Sequence, residues 1–155
     1  MEFYMIMTDT DARMDRRECD IWFETGYAFC GEYARDYGKR RKNFARLQVG
    51  DILLLHENHG RLKKTGCKKI VGIGRVLKGW DGQDYKEGAM LFYTVEPGED
   101  FFEYRIKVDW FADLRTNPID PRLEDIKITP STFRKISDSD AVERLLKRAG
   151  FNLSI

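Results

Sequence analysis

Three rings and one amide in this 155-residue chain could take hold of a nucleobase. Trp22, Tyr27 and Trp80 each offer a flat π-face on which a base can stack, a contact worth about 1–3 kcal/mol per base. Asn43 could hydrogen-bond a base edge, since side-chain amides pair with base donors and acceptors; it could equally be a helix cap. Trp22 and Tyr27 belong to IWFETGYAFCGEY, residues 21–33, in which five of thirteen residues are aromatic and Gly26 and Gly31 interrupt the run. Trp80 follows the glycine-rich stretch Ile70-Val71-Gly72-Ile73-Gly74-Arg75-Val76-Leu77. Any of the three rings could instead belong to the core, and Trp110, in a cleanly alternating stretch, is expected there.

Nine basic residues could meet a phosphate backbone: Lys39, Arg40, Arg41, Lys42 and Arg46, then Lys63, Lys64, Lys68 and Lys69. Such contacts position a strand without reading its sequence. The net charge of +1 hides the asymmetry. Residues 35–78 hold thirteen Lys and Arg against three acids, whereas residues 1–34 hold eight acids and three bases. A one-sided excess of this size favours a polyanionic partner, DNA or RNA; the plainer alternative is a solvated basic face.

Other chemistry finds less support. His56, His59 and Cys67 match no standard zinc spacing, so neither a metal nor a cofactor is expected. Glu57 beside His56 suggests general acid–base work, but the stretch is not HExxH and lies at a strand end. There is no Ser-His-Asp set, P-loop or carboxylate pair, so a binding domain is expected rather than an enzyme. The alternative is a small-molecule, nucleotide-like binding barrel or hydrolase using His56, Glu57 and Arg75. A third possibility is a protein-interaction module whose basic face meets an acidic partner. Three cysteines without a CxxC suit a reducing cytoplasm. No apolar run reaches membrane-spanning length, and Glu2, Asp9 and Asp11 argue against a signal peptide.

These residues need a scaffold. Glu2 to Thr8 reads as a central strand, apolar on both faces. Residues 12–20 allow a short helical turn, and 21–33 an irregular loop or short helix. Tyr37 to Leu47 predicts a helix with Phe44 and Leu47 inward. Ile52–Leu55 and Ile70–Leu77 predict buried strands, launched by Gly50-Asp51 and joined by a long basic connector. Gly72 and Gly74 fall on one strand face, where a backbone, a ring or a flat ligand can come close. Ala89–Val95 and Phe101–Phe111 predict further strands, the latter with Phe102, Tyr104, Ile106, Val108 and Trp110 on one face and Glu103, Arg105, Lys107 and Asp109 on the other. Ile126–Ile128 predicts a last short strand, and Thr129-Pro130 a short helix through Phe133 and Ile136. The run Ser137 to Asp140 caps a final helix that ends at Arg148, with Gly150 as its stop. The whole predicts an α+β fold in one domain, residues 1–155: a small, mixed, mostly antiparallel β-barrel with short flanking helices.

Four segments resemble the EVE domain family, part of the PUA-like superfamily that includes the YTH domains. They are Phe3-Tyr4-Met5-Ile6; the basic helix running from Asn43 through Val49-Gly50-Asp51 to Leu54; Ile70-Val71-Gly72-Ile73-Gly74-Arg75-Val76; and Tyr104–Val108 followed by Leu114 and Asn117-Pro118-Ile119. The basic 61–69 connector and the aromatic 21–33 segment depart from that pattern, which leaves the ligand open. The resemblance implies a PUA-like domain that holds a modified base, methylated above all, flipped into an aromatic pocket. By the same analogy it implies the specificity module of a modification-dependent restriction or RNA-handling assembly. Fold analogy alone does not establish such a function.

Overall fold

The computed structural model describes residues 1–8, 17–36, 38–58, 66–86, 88–91, 98–128 and 133–152. Six strands form one curled, half-barrel sheet: β1 (Phe3–Thr8), β2 (Tyr27–Tyr33), β3 (Ile52–Glu57), β4 (Ile70–Lys78), β5 (Phe101–Asp113) and β6 (Phe133–Ile136). Their order is β2-β5-β4-β3-β1-β6. β1 lies parallel to β3 and antiparallel to β6, and the remaining pairs are antiparallel. The expected mixed, mostly antiparallel architecture is present. β1 and β3 are buried along their whole length because both faces of the sheet are covered.

Alternation divides the core in two. Tyr4, Ile6, Leu53, Leu55, Tyr104 and Ile106 share one face with α1 (Glu18–Thr25) and α2 (Lys39–Ala45). Phe3, Met5, Ile52, Leu54 and Ile73 face the other way, onto Ala141, Val142, Leu145 and Leu146 of α3 (Ser139–Arg148). The Val49-Gly50-Asp51 turn joins α2 to β3 for a physical reason. Gly50 takes φ +92°, which L-residues disfavour. The buried Asp51 carboxylate accepts the backbone N–H of Glu2 at 2.9 Å and of Gln48 at 2.9 Å. One side chain therefore sets the register between β1 and β3.

Four expectations need correction. Residues 21–33 are neither one loop nor one helix: α1 runs to Thr25, Gly26 stops it at φ +72° with its N–H on the Trp22 carbonyl, and β2 begins at Tyr27. Ile126–Ile128 is not a strand, although Ile126 is buried beside the 3-10 turn Pro121–Glu124. Phe133 to Ile136 is strand β6 rather than helix, because β1 offers it an open ladder; residues 129–132 lie outside the described set. Ala89 to Leu91 forms a turn and bend rather than the start of a strand, and 92–95 lie outside the described residues.

The final helix begins as expected. Asp138 accepts the Ala141 N–H at 3.0 Å. Asp138→Ala removes that cap and should cost about 1 kcal/mol, visible as a lower midpoint in urea unfolding with an unchanged slope.

Candidate nucleic-acid interface

α2 carries Lys39, Arg40 and Lys42 exposed and Arg41 half-buried, with Phe44 anchored in the core, and Arg46 is exposed just past its end. The helix stands at the end of β2 and the beginning of β5. There the Glu32 carboxylate, 3% exposed, accepts the Tyr104 hydroxyl at 3.0 Å and the backbone N–H of Arg40 at 3.1 Å. The Arg40 guanidinium passes Glu32 by and donates to the Gly31 carbonyl at 2.5 Å. Burial, then the Glu32 hydrogen bond, push the Tyr104 phenol upward, so it stays protonated. Trp80, half-buried, sits edge-on to Tyr104 with ring centroids 6.2 Å apart at 88°. Its indole N–H donates to the Gln83 carbonyl at 3.2 Å.

The segment bearing Trp80 is anchored rather than loose. Asp81 accepts from the Gln83 backbone at 2.9 Å and from the Tyr85 hydroxyl at 2.5 Å. Tyr85 exchanges two backbone bonds with Glu103, and Arg41 reaches Asp84 at 3.7 Å, tying α2 to the same segment. Glu103 was expected on the polar face of β5, yet it is wholly buried. It accepts from Arg105 at 2.7 Å and from the Leu91 N–H at 2.9 Å, and Arg105 stacks over the Tyr85 ring at 3.7 Å. A buried carboxylate needs such partners. Glu103 thus holds Tyr85 and Leu91 against β5.

The other predicted residues are dispersed. Trp22 is 0% exposed, packed against Phe29 at 5.3 Å and Trp110 at 5.8 Å, and no ring contact links it to Trp80. Its indole N–H has no partner. Tyr27, half-buried, opens β2, and its carbonyl accepts the Trp110 indole N–H at 3.2 Å. Asn43 is half-buried on α2 next to Phe44. Lys68 and Lys69 are exposed but enter β4 beside the far end of β3, where Glu57 and Lys68–Lys69 exchange backbone bonds. β3 separates them from the α2 end by about 17 Å of strand. Lys63 and Lys64 lie outside the described residues. The glycine face of β4 is filled by the chain's own rings: Phe23 lies over Gly72, and Trp110 and Val108 lie over Gly74.

The far end of the sheet has its own charge cluster. Buried Glu57 is gripped by Arg17 through two bonds, 2.7 and 2.8 Å, and receives the Cys67 N–H at 3.3 Å and the Cys19 thiol at 3.4 Å. Burial pushes the Cys19 thiol up, so it remains a donor. A cavity of about 360 Å³ opens beside it, lined by Arg17, Asp20, Asp113, Arg115 and Thr116. Arg115 bonds Asp113 and Asp20, both at 2.6 Å, and lies over Phe23 at 4.4 Å. These cations are all matched by acids. His56 points to the opposite face of β3 from Glu57, where neither ring nitrogen finds a partner. Burial keeps its pKa below the ordinary value despite the nearby Lys68 backbone and Asn58 side chain. Arg75 is exposed near Phe111, alongside Ile52 at the other end of β3. His56, Glu57 and Arg75 therefore share no site.

No protein-family model matches the sequence, and no curated protein is significantly similar to it. Solved structures are similar. The chain aligns with protein Atu2648 from Agrobacterium tumefaciens at TM-score 0.57 and 11% identity, over 99% of this chain and 97% of that one. It aligns with the YTH domain of Zygosaccharomyces rouxii MRB1, solved with N6-methyladenosine RNA, at TM-score 0.53 and 11% identity, over 99% and 90%. The Pho92 YTH domain in complex with m6A gives TM-score 0.55 and 12% identity, over 99% and 85%.

The fold is PUA-like, of the EVE and YTH type. At these identities the likeness concerns the course of the backbone, and the PUA-like frame here carries side chains of its own. Glu32, Tyr104 and Glu103, which organise the α2 end, were not singled out from the sequence. Reading β2 as a strand would have exposed the first, because Ala28, Cys30 and Glu32 then share a face with Tyr104. Among the described residues no helix is long and apolar enough to cross a membrane, and no cluster of His, Cys, Asp and Glu could hold a metal ion.

Proposed function

We propose that this PUA-like domain binds single-stranded RNA or DNA and holds a modified base, methylated above all, against Trp80. The observation that carries this is the meeting of a half-buried tryptophan with the four cations of α2, and Arg46 just after it, at one end of the sheet. Stacking supplies sequence-tolerant affinity, and the cations hold the flanking phosphates. Two YTH domains of the same fold, solved with methylated adenosine, support it. Trp80 and Asn43 remain the pocket candidates, with Tyr104 and Glu32 added. Trp22 and Tyr27 serve better as parts of the packed layer around Trp110. Of the expected phosphate contacts, Lys39, Arg40, Arg41, Lys42 and Arg46 form one group. The domain acts as a binder, not a catalyst, and a restriction or RNA-processing assembly is a fitting context.

The test is fluorescence anisotropy with matched RNA and DNA strands, with and without methylated adenine or cytosine, at two salt concentrations. A modification gain of about 1 kcal/mol or more, roughly fivefold, is expected, together with marked weakening at high salt. Trp80→Ala should lose about 1–3 kcal/mol on the preferred strand. No binding at either salt rejects the proposal, and equal affinity for plain and modified strands rejects the modified-base part of it.

A further inference from the structure

We infer that α2 carries a nucleic-acid backbone along its outer face, with Lys39, Lys42 and Arg46 each on a phosphate and with Arg40 and Arg41 holding the helix to the sheet. This deepens the nucleic-acid reading above and rests on it. Lys39, Lys42 and Arg46 follow i, i+3, i+7 spacing, and Arg46 keeps helical angles at the C-cap, φ −80° and ψ −19°. Residues so spaced share one face of a helix. All three are exposed, while Phe44 is 2% exposed on the core side. From Lys39 to Arg46 the stripe runs about 10 Å, at about 1.5 Å per residue. That is close to three base steps of a stacked strand, at about 3.4 Å each.

The other two basic residues of the helix are spent on the scaffold. Arg40 donates to the Gly31 carbonyl of β2 at 2.5 Å. Arg41 reaches Asp84 at 3.7 Å and folds over Gly38, where an added Cβ would stand 2.8 Å from its Nη2. Lys39, Lys42 and Arg46 make no ion pair among the described residues, the exposed Asp36 included.

The stripe also runs against the electrostatics of its own helix. α1 opens with Glu18 and Asp20. α3 has Asp138 as its cap, Asp140 in its first turn and Lys147 and Arg148 in its last. Acids at the start and bases at the end suit the helix macrodipole. α2 begins the other way: Gly38 provides no side-chain cap, and the first turn holds bases and no acid. Glu32 does meet the Arg40 N–H, but from β2 and on the buried side. Lys42 and Arg46, four residues apart, repel each other as well. Three exposed like charges that weaken their own helix are relieved by an external anion, and a chain of phosphates supplies one at each position. A free nucleotide would meet the stripe at one point only.

The experiment follows the anisotropy of labelled thymine-only DNA and uracil-only RNA octamers across a range of salt concentrations. For a single strand, log K falls with log salt by about 0.7 for each phosphate contact. With three contacts, the wild type should show a slope of about −2 or steeper. Lys39→Met, Lys42→Met and Arg46→Met should each flatten it by about 0.7. Lys39→Met should also unfold at the same or a higher urea concentration than the wild type, because it relieves the start of the helix. Arg40→Met and Arg41→Met should lower the urea midpoint and leave the slope nearly as it is. If either of these does not fold, the three stripe variants decide alone. Unchanged slopes in the stripe variants overturn the inference and leave the nucleic-acid reading standing. A lower urea midpoint for Lys39→Met overturns it too, since the charge would then serve the fold. Equal flattening by Arg40→Met and Arg41→Met overturns the division of roles. Failure of the wild type to bind either octamer overturns both readings, and polyglutamate bound in their place would assign the stripe to an acidic protein.

Discussion

Arg17→Met should lower the stability of this domain by about 3 kcal/mol at neutral pH, and the loss should shrink on acidification. Glu57 lies buried at the end of β3, and Arg17 is the cation that meets it, through both guanidinium nitrogens that reach it. Removing one partner of a buried ion pair costs about 3–5 kcal/mol, because the other charge is left uncompensated. Arg17 is 39% exposed, so solvent screens part of the interaction and the lower figure applies. In the wild type, burial alone would raise the Glu57 carboxyl. The Arg17 bond and charge, with Cys19 and Cys67, outweigh it and hold the carboxyl below its ordinary 4.5. That contribution is complete above about pH 4.5 and fades as the pH falls through the depressed value.

Without Arg17 the sign reverses. Burial then dominates, the folded-state carboxyl rises above its unfolded value, and folding takes up a proton. The variant regains stability as the pH is lowered toward 4.5, while the wild type begins to lose its own. Urea unfolding of both proteins at pH 7 and pH 4.5 measures the gap directly. An equal gap at both values would show that Arg17 contributes packing rather than charge.

The second large effect is expected at Gly74. A Cβ there would stand 2.5 Å from Val108 Cγ1 and 2.6 Å from Trp110 Cε3. Trp110 cannot step back: its N–H is bonded to the Tyr27 carbonyl, and its ring rests on Trp22 and Phe23, each at 5.8 Å. Overpacking of this kind costs about 1–3 kcal/mol, and the branched side chain of Gly74→Val places it at the upper end. Val108→Ala in the same chain should restore part of the loss, since contacting sites couple. Val49→Ala, at a position 71% exposed, serves as the control and should stay within about 0.5 kcal/mol of wild type. Tolerance of Gly74→Val would mean that the glycine face is not closed by Trp110. Because the rings over Gly72 and Gly74 belong to the chain itself, that face is a packing surface and not the base pocket.

The strands that could be read from the sequence are those whose pattern stays constant over their length. β1 and β3 are unbroken apolar runs, and β5 alternates through Tyr104, Ile106 and Val108. α3 shows its cap and its apolar stripe. β2 was hidden because the period changes from helix to strand at Gly26, inside one thirteen-residue stretch. β6 was hidden because four residues carry too little pattern of their own and take their conformation from the ladder that β1 offers. Glu103 was misplaced because alternation places a residue on a face of the sheet without saying what lies over that face; here Leu91 and Arg105 cover it.

The same limit divides the candidate site. Local sequence determined that the chain has a basic helix running into a Val-Gly-Asp turn, a glycine-faced strand and a surplus of rings. Each is a property of neighbours along the chain, whose side-chain directions follow from the backbone period. Tertiary structure decided which rings are core and which are rim. It placed Trp22 in the interior and Trp80 beside α2, moved Lys68 and Lys69 to the opposite end of β3, and brought Glu32 to Tyr104 across 72 residues. Periodicity says which side of a strand is buried, but the partner that buries it comes from far along the chain. That pairing is set by the strand order β2-β5-β4-β3-β1-β6, which no local stretch contains.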